Sequence, residues 1–537
     1  MFELKNMTIS SLLNERLKDD PTKIVIVEND KEVNWGELKR LTDIAATEFI
    51  NLGISRNTHV GIYSINSLQW VVSYLALCRI GALPVLINYN YKKSELEDVL
   101  IYSDIEYLLF GDGFKTISFK AIINEIKLNN DNINIDILDI GKNRLDLWES
   151  KNNFEINYSE ITNLESQVDT HDNLNLIFTS GTTTCVKGIV LSHYQMLNIS
   201  RIQSEKLNWD KDDIICLPLP LFHCFGLSCG IFAALNKNVK LCLTSTRSIP
   251  ILETIQKHKC TVLNGVPSMF CALMNNDKFN QYDISSLNSG IVAGARVDEN
   301  DFIRISEKCH IPYLQQSYGQ TETSPAISFT EYDDSIYKKS KTVGKVISDI
   351  EVRIYDNCNN SIVDNKHIGE VQVKGFNVLK NGYYKLKEES KSLYTKDGWL
   401  KTGDTGYFDD DQNLYITGRI KEMIIKRGEN ICPYEIEEVI MNHKDMIQVK
   451  VLGIKDKFCG EEIVAVYTSN EEIDEKSLYK FMKTKLADYK IPKYFIKLKD
   501  FPLIENGKIN TKEIKKIVFS ELTGGEADGI KSTTKVN

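Results

Sequence analysis

The sequence predicts an α/β fold: a large N-terminal body of α/β subdomains plus a β subdomain, followed by a small α+β C-terminal domain. Three observations predict it. Apolar runs alternate with amphipathic helical patterns up to about residue 330, strand and turn patterns dominate 343–416, and residues 420–519 mix both kinds. Strands separated by helices are typical of largely parallel sheets. A length of 537 residues is ample for several such units.

The first elements of the body follow from their apolar spacing. Residues 35–52 place Leu38, Leu41 and Ile44 on one helical face, so a helix is predicted there. The most apolar stretch, 70–87, contains Arg79, and we expect a buried helix followed by a strand, with no transmembrane segment. Strands of the body are predicted at 23–28, 60–64, 83–88, 106–110, 174–178, 213–217, 240–244 and 260–264.

The second half predicts a β subdomain and then a compact α+β unit. Strands are expected at 351–356, 369–375 and 413–418, and then at 422–426, 448–454, 462–468 and 493–498. A helix with Pro433 near its first turn and a second one around 478–486 complete the last unit. We therefore predict a large domain over 1–419, a small domain over 420–519 and a disordered polar tail over 520–537.

Composition excludes several classes of protein without naming an activity. The chain carries 65 Lys and Arg against 74 Asp and Glu, a net charge of −9, which argues against a nucleic-acid partner. The 12 cysteines form no CxxC pair and the 8 histidines no HxxxH pair, so we expect reduced thiols and no zinc site. No basic run followed by an apolar core opens the sequence, and a cytoplasmic protein is predicted.

Five separated segments carry residue types that suit a phosphate-containing ligand. Residues 179–188 follow a predicted strand and contain five hydroxyls, two glycines and one lysine, all useful to phosphate oxygens. Segment 316–322 joins an aromatic ring and a glycine to a Thr-Glu pair, and 398–404 places an Asp after a glycine turn. The others are 418–430 and an Asn-Gly turn with a lysine at 506–508. Each segment alone is also compatible with an ordinary turn or loop.

In this order and spacing, the five segments resemble the adenylate-forming superfamily, which includes acyl-CoA synthetases, luciferases and peptide-synthetase adenylation domains. The resemblance runs from about residue 20 to 516. It implies that ATP, with Mg²⁺, converts a carboxylic acid to an acyl-adenylate and releases pyrophosphate. A thiol then takes the acyl group and AMP leaves, in steps dominated by positioning and electrostatic stabilisation.

The resemblance also implies residue roles at the nucleotide. Tyr318 would lie against adenine, with Gly294 and Ala295 in the same slot, while Thr321 would touch the α-phosphate and Glu322 would bind Mg²⁺. The implied ligands of the β- and γ-phosphates are Thr179, Ser180, Gly181, Thr182, Thr183 and Lys187. The family has glycine and proline where this loop has Thr184 and Val186, which leads us to expect slower adenylation.

Further roles fall in the last third of the chain. Asp404 would hold the ribose hydroxyls, Arg419 the ribose or a phosphate, and Lys508 would bridge the carboxylate and the α-phosphate. In the family the small domain rotates between the two half-reactions, with Lys421 at the hinge. The segment then expected beside the thiol consists of Gly428, Glu429 and Asn430.

The acid and the thiol are less constrained by the sequence. The resemblance places His223 beside the reacting acyl group, and the segment lacks the aspartate that pairs with an amino acid, so a simple carboxylic acid is favoured. Phe225 is apolar, which favours an aliphatic, fatty acid. Coenzyme A is the leading acceptor, the alternatives being a ligase that loads a carrier protein and a nucleotide-binding pseudo-enzyme. A monomer or a homodimer is expected.

Overall fold

The computed structural model describes residues 3–115, 117–129, 135–150, 155–179, 187–426, 429–443, 445–456, 460–503, 509–523 and 534–535. The chain packs into two compact units, which differ from the predicted division after residue 419. The first comprises Met1–Glu351 and Val373–Leu400, and the second comprises Val352–Gln372 and Lys401–Asn537. The predicted boundary after residue 419, between a large domain and a small mobile one, stays a prediction.

Two largely parallel sheets form the first unit. The nine-stranded sheet has the order Lys345–Val346, Ser328–Phe329, Tyr313–Tyr318, Ser289–Val292, Val262–Leu263, Ile214–Leu217, Lys240–Leu243, Ile24–Glu28 and Lys31–Asn34. The six-stranded sheet has the order Asp136–Asp139, Tyr107–Phe110, His59–Tyr63, Leu83–Leu86, Asn173–Thr179 and Lys187–Ser192. Their inner strands are buried along most of their length, as parallel strands covered on both faces require.

Helices cover these sheets, and their ends follow from the local sequence. Asn34 caps the helix Trp35–Asn51, because its side chain accepts a hydrogen bond from the backbone of Glu37. Ser67 caps Leu68–Arg79 in the same way, and every residue of that helix is buried. The helices of the first unit are Ile9–Asp19, Trp35–Asn51, Leu68–Arg79, Lys93–Tyr102, Phe119–Asn129, Lys142–Ser150, Tyr158–Ser166, His193–Lys206, Cys224–Cys229, Ile231–Lys237, Ser248–His258, Pro267–Met274, Glu299–Lys308, Ile336–Lys341 and Lys387–Leu393.

The later strands make two further sheets. The five-stranded sheet has the order Ser361–Ile362, Ile350–Asp356, Gly369–Gly375, Leu400–Phe408 and Leu414–Arg419. The last sheet has the order Glu429–Ile431, Ile424–Lys426, Gly460–Ser469, Tyr494–Lys497 and Thr534–Lys535, and Met446–Asp456 pairs with Gly460–Ser469. The helices here are Pro433–Met441, Glu475–Lys483 and Thr511–Thr523.

The predicted α/β class is confirmed, as are the helices predicted over 35–52 and from residue 70. The predicted tail is wrong in two places. The helix Thr511–Thr523 enters the region 520–537, because Leu522 packs on the buried cluster that contains Ile514 and Val518. Thr534–Lys535 pairs with Tyr494–Lys497 as an antiparallel strand. The other residues of 520–537 lie outside the described ranges.

In the described part of the chain, no helix combines the length and the apolar character that crossing a membrane requires.

Candidate active site

One edge of the nine-stranded sheet gathers the predicted adenine residues. The strands Ser289–Val292 and Tyr313–Tyr318 are parallel neighbours, so their carboxyl ends lie at the same edge. Gly294 follows the first strand, and Tyr318 ends the second. Gly294 has a φ of +80°, a region that favours glycine. Ala295 comes next and is exposed. The sheet therefore brings the three predicted residues to one edge.

The Glu322 loop, residues 319–326, leaves that same edge. A Cβ at Gly319 would lie 1.9 Å from the carbonyl oxygen of Pro325, so this turn excludes any side chain. Glu322 is 9% exposed. Its Oε1 accepts a hydrogen bond from the Tyr383 hydroxyl at 2.9 Å. A nearly buried carboxylate requires hydrogen-bonding partners, and the Tyr383 hydroxyl orients the carboxylate of Glu322.

A second segment holds the Glu322 loop in place. We call residues 375–384 the clamp segment. Asn377 is fully buried and its Nδ2 donates to two carbonyl oxygens of the loop, at 2.9 and 2.7 Å. The backbone N–H of Leu379 donates to the carbonyl oxygen of Glu322 at 2.8 Å. These bonds fix the backbone of the predicted metal-binding residue from outside its own loop.

The ends of the predicted phosphate loop face each other across a hairpin. Thr179 ends one strand of the six-stranded sheet and pairs with Lys187, which begins the next. The Lys187 Nζ lies 4.4 Å from the ring centroid of Tyr383, a cation–π contact. Tyr383 therefore contacts both Lys187 and Glu322. The predicted residues Ser180, Gly181, Thr182 and Thr183 lie outside the described ranges, as do Thr184 and Val186.

His223 lies at the start of a short helix whose next residue contacts the Glu322 loop. It precedes the helix Cys224–Cys229 and is half-buried, with its ring centroid 4.2 Å from that of Phe222. The Cys224 Sγ donates to Thr321 Oγ1 at 3.7 Å. Burial raises the pKa of Cys224 to about 11, against a smaller lowering by the Thr321 hydrogen bond, so the thiol keeps the proton that it donates.

Asp404 and Arg419 come together in the second unit. They are register partners on the antiparallel strands Leu400–Phe408 and Leu414–Arg419. Arg419 Nε lies 2.9 Å from Asp404 Oδ1. The Asp404 backbone N–H donates to Thr402 Oγ1 at 3.0 Å. The pair joins a buried acid to a guanidinium whose side chain is 61% exposed.

The other predicted residues are described only in part. Lys421 is exposed and lies in the short turn Ile420–Glu422. The backbones of Glu429 and Asn430 pair with the strand Ile424–Lys426. Gly428 and Lys508 lie outside the described ranges, so the predicted thiol-side and adenylation roles stay predictions.

Sequence reasoning missed Asn377, Tyr383 and Cys224. Residues 382–384 show only as a glycine and two tyrosines, a pattern typical of an ordinary turn. Their importance arises from hydrogen bonds to residues distant in the chain, which periodicity does not reveal. Cys224 stands directly after His223, and that adjacency was the one signal available.

Two family models and several near-full-length relatives match the chain. The model described as AMP-binding enzyme matches residues 13–384, and the model described as AMP-binding enzyme C-terminal domain matches residues 435–508. YngI of Bacillus subtilis (strain 168), assigned to the acyl-CoA synthetases, is 32% identical over 96% of this chain and 98% of its own. The mitochondrial medium-chain acyl-CoA ligase ACSF2 of Bos taurus is 30% identical over 94% of this chain and 86% of its own.

Solved structures share the fold. ATP-bound MatB from Rhodopseudomonas palustris is 23% identical and superposes with a TM-score of 0.80, over 95% of this chain and 99% of its own. The Mycobacterium tuberculosis fatty acyl CoA synthetase is 24% identical with a TM-score of 0.75, over 95% of this chain and 98% of its own. With a family model matching over half of the chain and relatives of 30% identity or more along nearly all of it, this protein belongs to the AMP-binding enzyme family, the adenylate-forming enzymes.

Proposed function

We propose that the chain is an AMP-forming acyl-CoA synthetase that activates a medium-chain aliphatic acid with ATP and transfers it to coenzyme A. The observation that carries the proposal is the sheet edge that brings Gly294, Tyr318 and the Glu322 loop together, as an adenylate-forming site requires. Near-full-length relatives carry acyl-CoA ligase names. The medium chain length rests on the name of ACSF2, and the aliphatic character of the acid rests on the apolar Phe225.

In the first half-reaction a carboxylate oxygen attacks the α-phosphorus of ATP, and the bond to the β-phosphate bridging oxygen breaks. Acyl-adenylate forms and pyrophosphate leaves. Nucleophile and phosphates are all anionic, so cations and hydrogen-bond donors must offset their repulsion. Lys187 and the hydroxyls of its loop would hold the β- and γ-phosphates. Thr321 would donate to the α-phosphate, and Lys508 would bridge it to the acid.

The residues present fit a magnesium ion that arrives with the nucleotide. In the described ranges, no three His, Cys, Asp or Glu side chains gather into a metal site of their own. Magnesium commonly takes one or two carboxylates and completes its shell with substrate phosphates and water. Glu322 offers one such carboxylate, with Oε1 already oriented by Tyr383. Bound Mg²⁺ would supply neutralisation of phosphate charge.

Asp404 and Arg419 suit the ribose. A carboxylate has several lone pairs, so one that accepts from Arg419 can also accept from two vicinal hydroxyls. The exposed guanidinium of Arg419 keeps donors for the ribose or a phosphate oxygen. Both residues would bind the nucleotide without taking part in proton transfer.

In the second half-reaction the sulfur of coenzyme A attacks the acyl carbonyl carbon. The bond from that carbon to the phosphate oxygen breaks, AMP leaves and the thiol proton passes to solvent. His223 would lie beside the reacting acyl group. We expect the small domain to rotate between the steps about Lys421, which would bring Gly428, Glu429 and Asn430 towards the thiol.

We also propose a cytoplasmic location and a monomer or homodimer. Ten cysteines of the described ranges are free thiols and eight of them are buried, which suits a reducing compartment. Oligomeric state is measured directly by light scattering of the purified protein.

Pyrophosphate release tests the proposal. Purified protein with ATP and Mg²⁺ is given straight-chain acids of graded length, aromatic acids and amino acids. We expect the highest kcat/KM with a medium-chain aliphatic acid, and then thioester formation with free coenzyme A at micromolar to millimolar levels, on the order of usual KM values. No release with any acid would establish the nucleotide-binding pseudo-enzyme. An absolute need for a carrier protein would overturn the coenzyme A assignment.

A further inference from the structure

We propose that Tyr383 is a positioning residue that orients Glu322 for magnesium and keeps Lys187 directed at phosphate. The inference rests on the proposed function, because it assigns Tyr383 a task within that nucleotide site. One phenol contacts both charged groups: its hydroxyl donates to Glu322 Oε1 at 2.9 Å, and its ring face lies 4.4 Å from Lys187 Nζ.

The hydrogen bond from Tyr383 fixes the orientation of the Glu322 carboxylate. Tyr383 is 8% exposed and Glu322 9% exposed, so water competes little for this bond. With Oε1 held by Tyr383, the carboxylate keeps one orientation, and the lone pairs of Oε2 and the second lone pair of Oε1 remain for a cation. Groups that hydrogen-bond a metal-ligating carboxylate orient it, and their loss weakens metal affinity.

The cation–π contact acts on the other charge. An ammonium and a carboxylate that met in this partly buried site would attract strongly and neutralise each other. The phenol instead gives Lys187 the negative face of its ring and gives Glu322 a neutral donor. Each charge is stabilised by Tyr383, so neither needs the other before nucleotide binds.

The clamp segment holds the phenol in this position. The Leu379 N–H donates to the carbonyl of Glu322 on one side of Tyr383, and the Tyr384 N–H donates to the carbonyl of Gly188 on the other, both at 2.8 Å. The Tyr383 N–H itself donates to Ser390 Oγ at 2.8 Å. The backbone therefore ties Tyr383 to the Glu322 loop and to the strand that begins at Lys187.

The test compares Tyr383→Phe and Tyr383→Leu with the parent enzyme. Tyr383→Phe keeps the ring and loses the hydroxyl. We expect the Mg²⁺ concentration for half-maximal pyrophosphate release to rise about 10- to 100-fold. Calorimetry should show weaker binding of Mg²⁺·ATP with unchanged binding of ATP alone. Thioester formation from pre-made acyl-adenylate should also be unchanged. Tyr383→Leu should in addition weaken binding of ATP alone, because Lys187 loses its ring.

Tyr63→Phe is the matched control. Tyr63 is a fully buried tyrosine of the six-stranded sheet, and its hydroxyl donates to the Tyr91 carbonyl at 2.5 Å. Its variant loses one internal hydrogen bond too, yet its Mg²⁺ dependence should match the parent. The proposal is overturned if Tyr383→Phe behaves like this control, or if it weakens ATP binding equally with and without Mg²⁺. A parent enzyme that releases no pyrophosphate would refute the proposed function alone, since the calorimetric comparison still tests Tyr383.

Discussion

At the scale of single residues, Asp404 shows how burial and orientation work together. The residue is 4% exposed, and burying a carboxylate costs free energy unless it has ionic or hydrogen-bonded partners. Arg419 supplies the charge at 2.9 Å, and the Thr402 hydroxyl holds the Asp404 backbone. The acid is thus fixed in direction before any ligand binds, which reduces the entropy lost on binding.

Asp404→Asn should raise the KM for ATP about 10- to 100-fold, because hydrogen bonds to a charged acceptor contribute roughly 1.5–3 kcal/mol. The amide keeps the size of the side chain, so the expected effect is on nucleotide binding. Steady-state pyrophosphate release at varied ATP measures it. Asp410→Asn is the control, since Asp410 pairs with Lys366 on the surface and should leave KM unchanged. Equal KM values in the two variants would contradict the ribose role.

At the scale of elements, the helix His193–Lys206 begins at a buried histidine that contacts the N-terminal segment of the chain. His193 is 1% exposed, and its Nδ1 accepts from the Ile9 backbone N–H at 3.4 Å. Burial lowers the pKa of His193 from 6.5 to about 4, against raising contributions from Asp172 and Asp169. The ring is therefore neutral at pH 7, and protonation would remove the acceptor that Ile9 uses.

This histidine should make the free energy of unfolding fall in acid. Between pH 6.5 and 4 the unfolded chain binds a proton at this histidine and the folded chain does not. The contribution of neutral His193 to the free energy of unfolding is therefore fully present above pH 6.5 and declines towards pH 4. The slope from one such group approaches about 1.4 kcal/mol per pH unit. Chemical unfolding at a series of pH values should show a flatter slope for His193→Gln than for the parent. The exposed His171→Gln should keep the parent slope, and identical slopes in all three proteins would disprove the effect.

Elements with strong local patterns could be predicted from the sequence, and those made by distant contacts could not. The helix Trp35–Asn51 matches its expected range within one residue, because apolar spacing and a cap both mark it. The clamp segment has neither signal. Asn377 and Tyr383 act through hydrogen bonds to the Glu322 loop, which lies more than fifty residues earlier in the chain. The motif resemblance names glycines and acids whose roles stay predictions, and it does not name the side chains that orient them.

At the scale of the whole molecule, the compact units do not follow the order of the chain. Segment Val352–Gln372 belongs to the second unit, and Val373–Leu400 returns to the first. A single boundary predicted along the sequence cannot describe a first unit whose second segment follows part of the second unit. Asp404 and Arg419 therefore lie in the unit that also contains the predicted mobile domain, although both were predicted in the large domain.

Lys508→Ala tests whether the two half-reactions use different arrangements of the chain. The motif resemblance gives Lys508 a role in adenylation alone, because the small domain is expected to turn before the thiol attacks. Pyrophosphate release should therefore fall at least about 100-fold, as loss of a charge that stabilises the transition state usually causes. Thioester formation from pre-made acyl-adenylate should stay close to the parent rate. Lys512→Ala removes an exposed lysine nearby in the chain and should alter neither step. Equal loss of both steps in Lys508→Ala would mean that one arrangement serves both, and the rotation would then have no part in the mechanism.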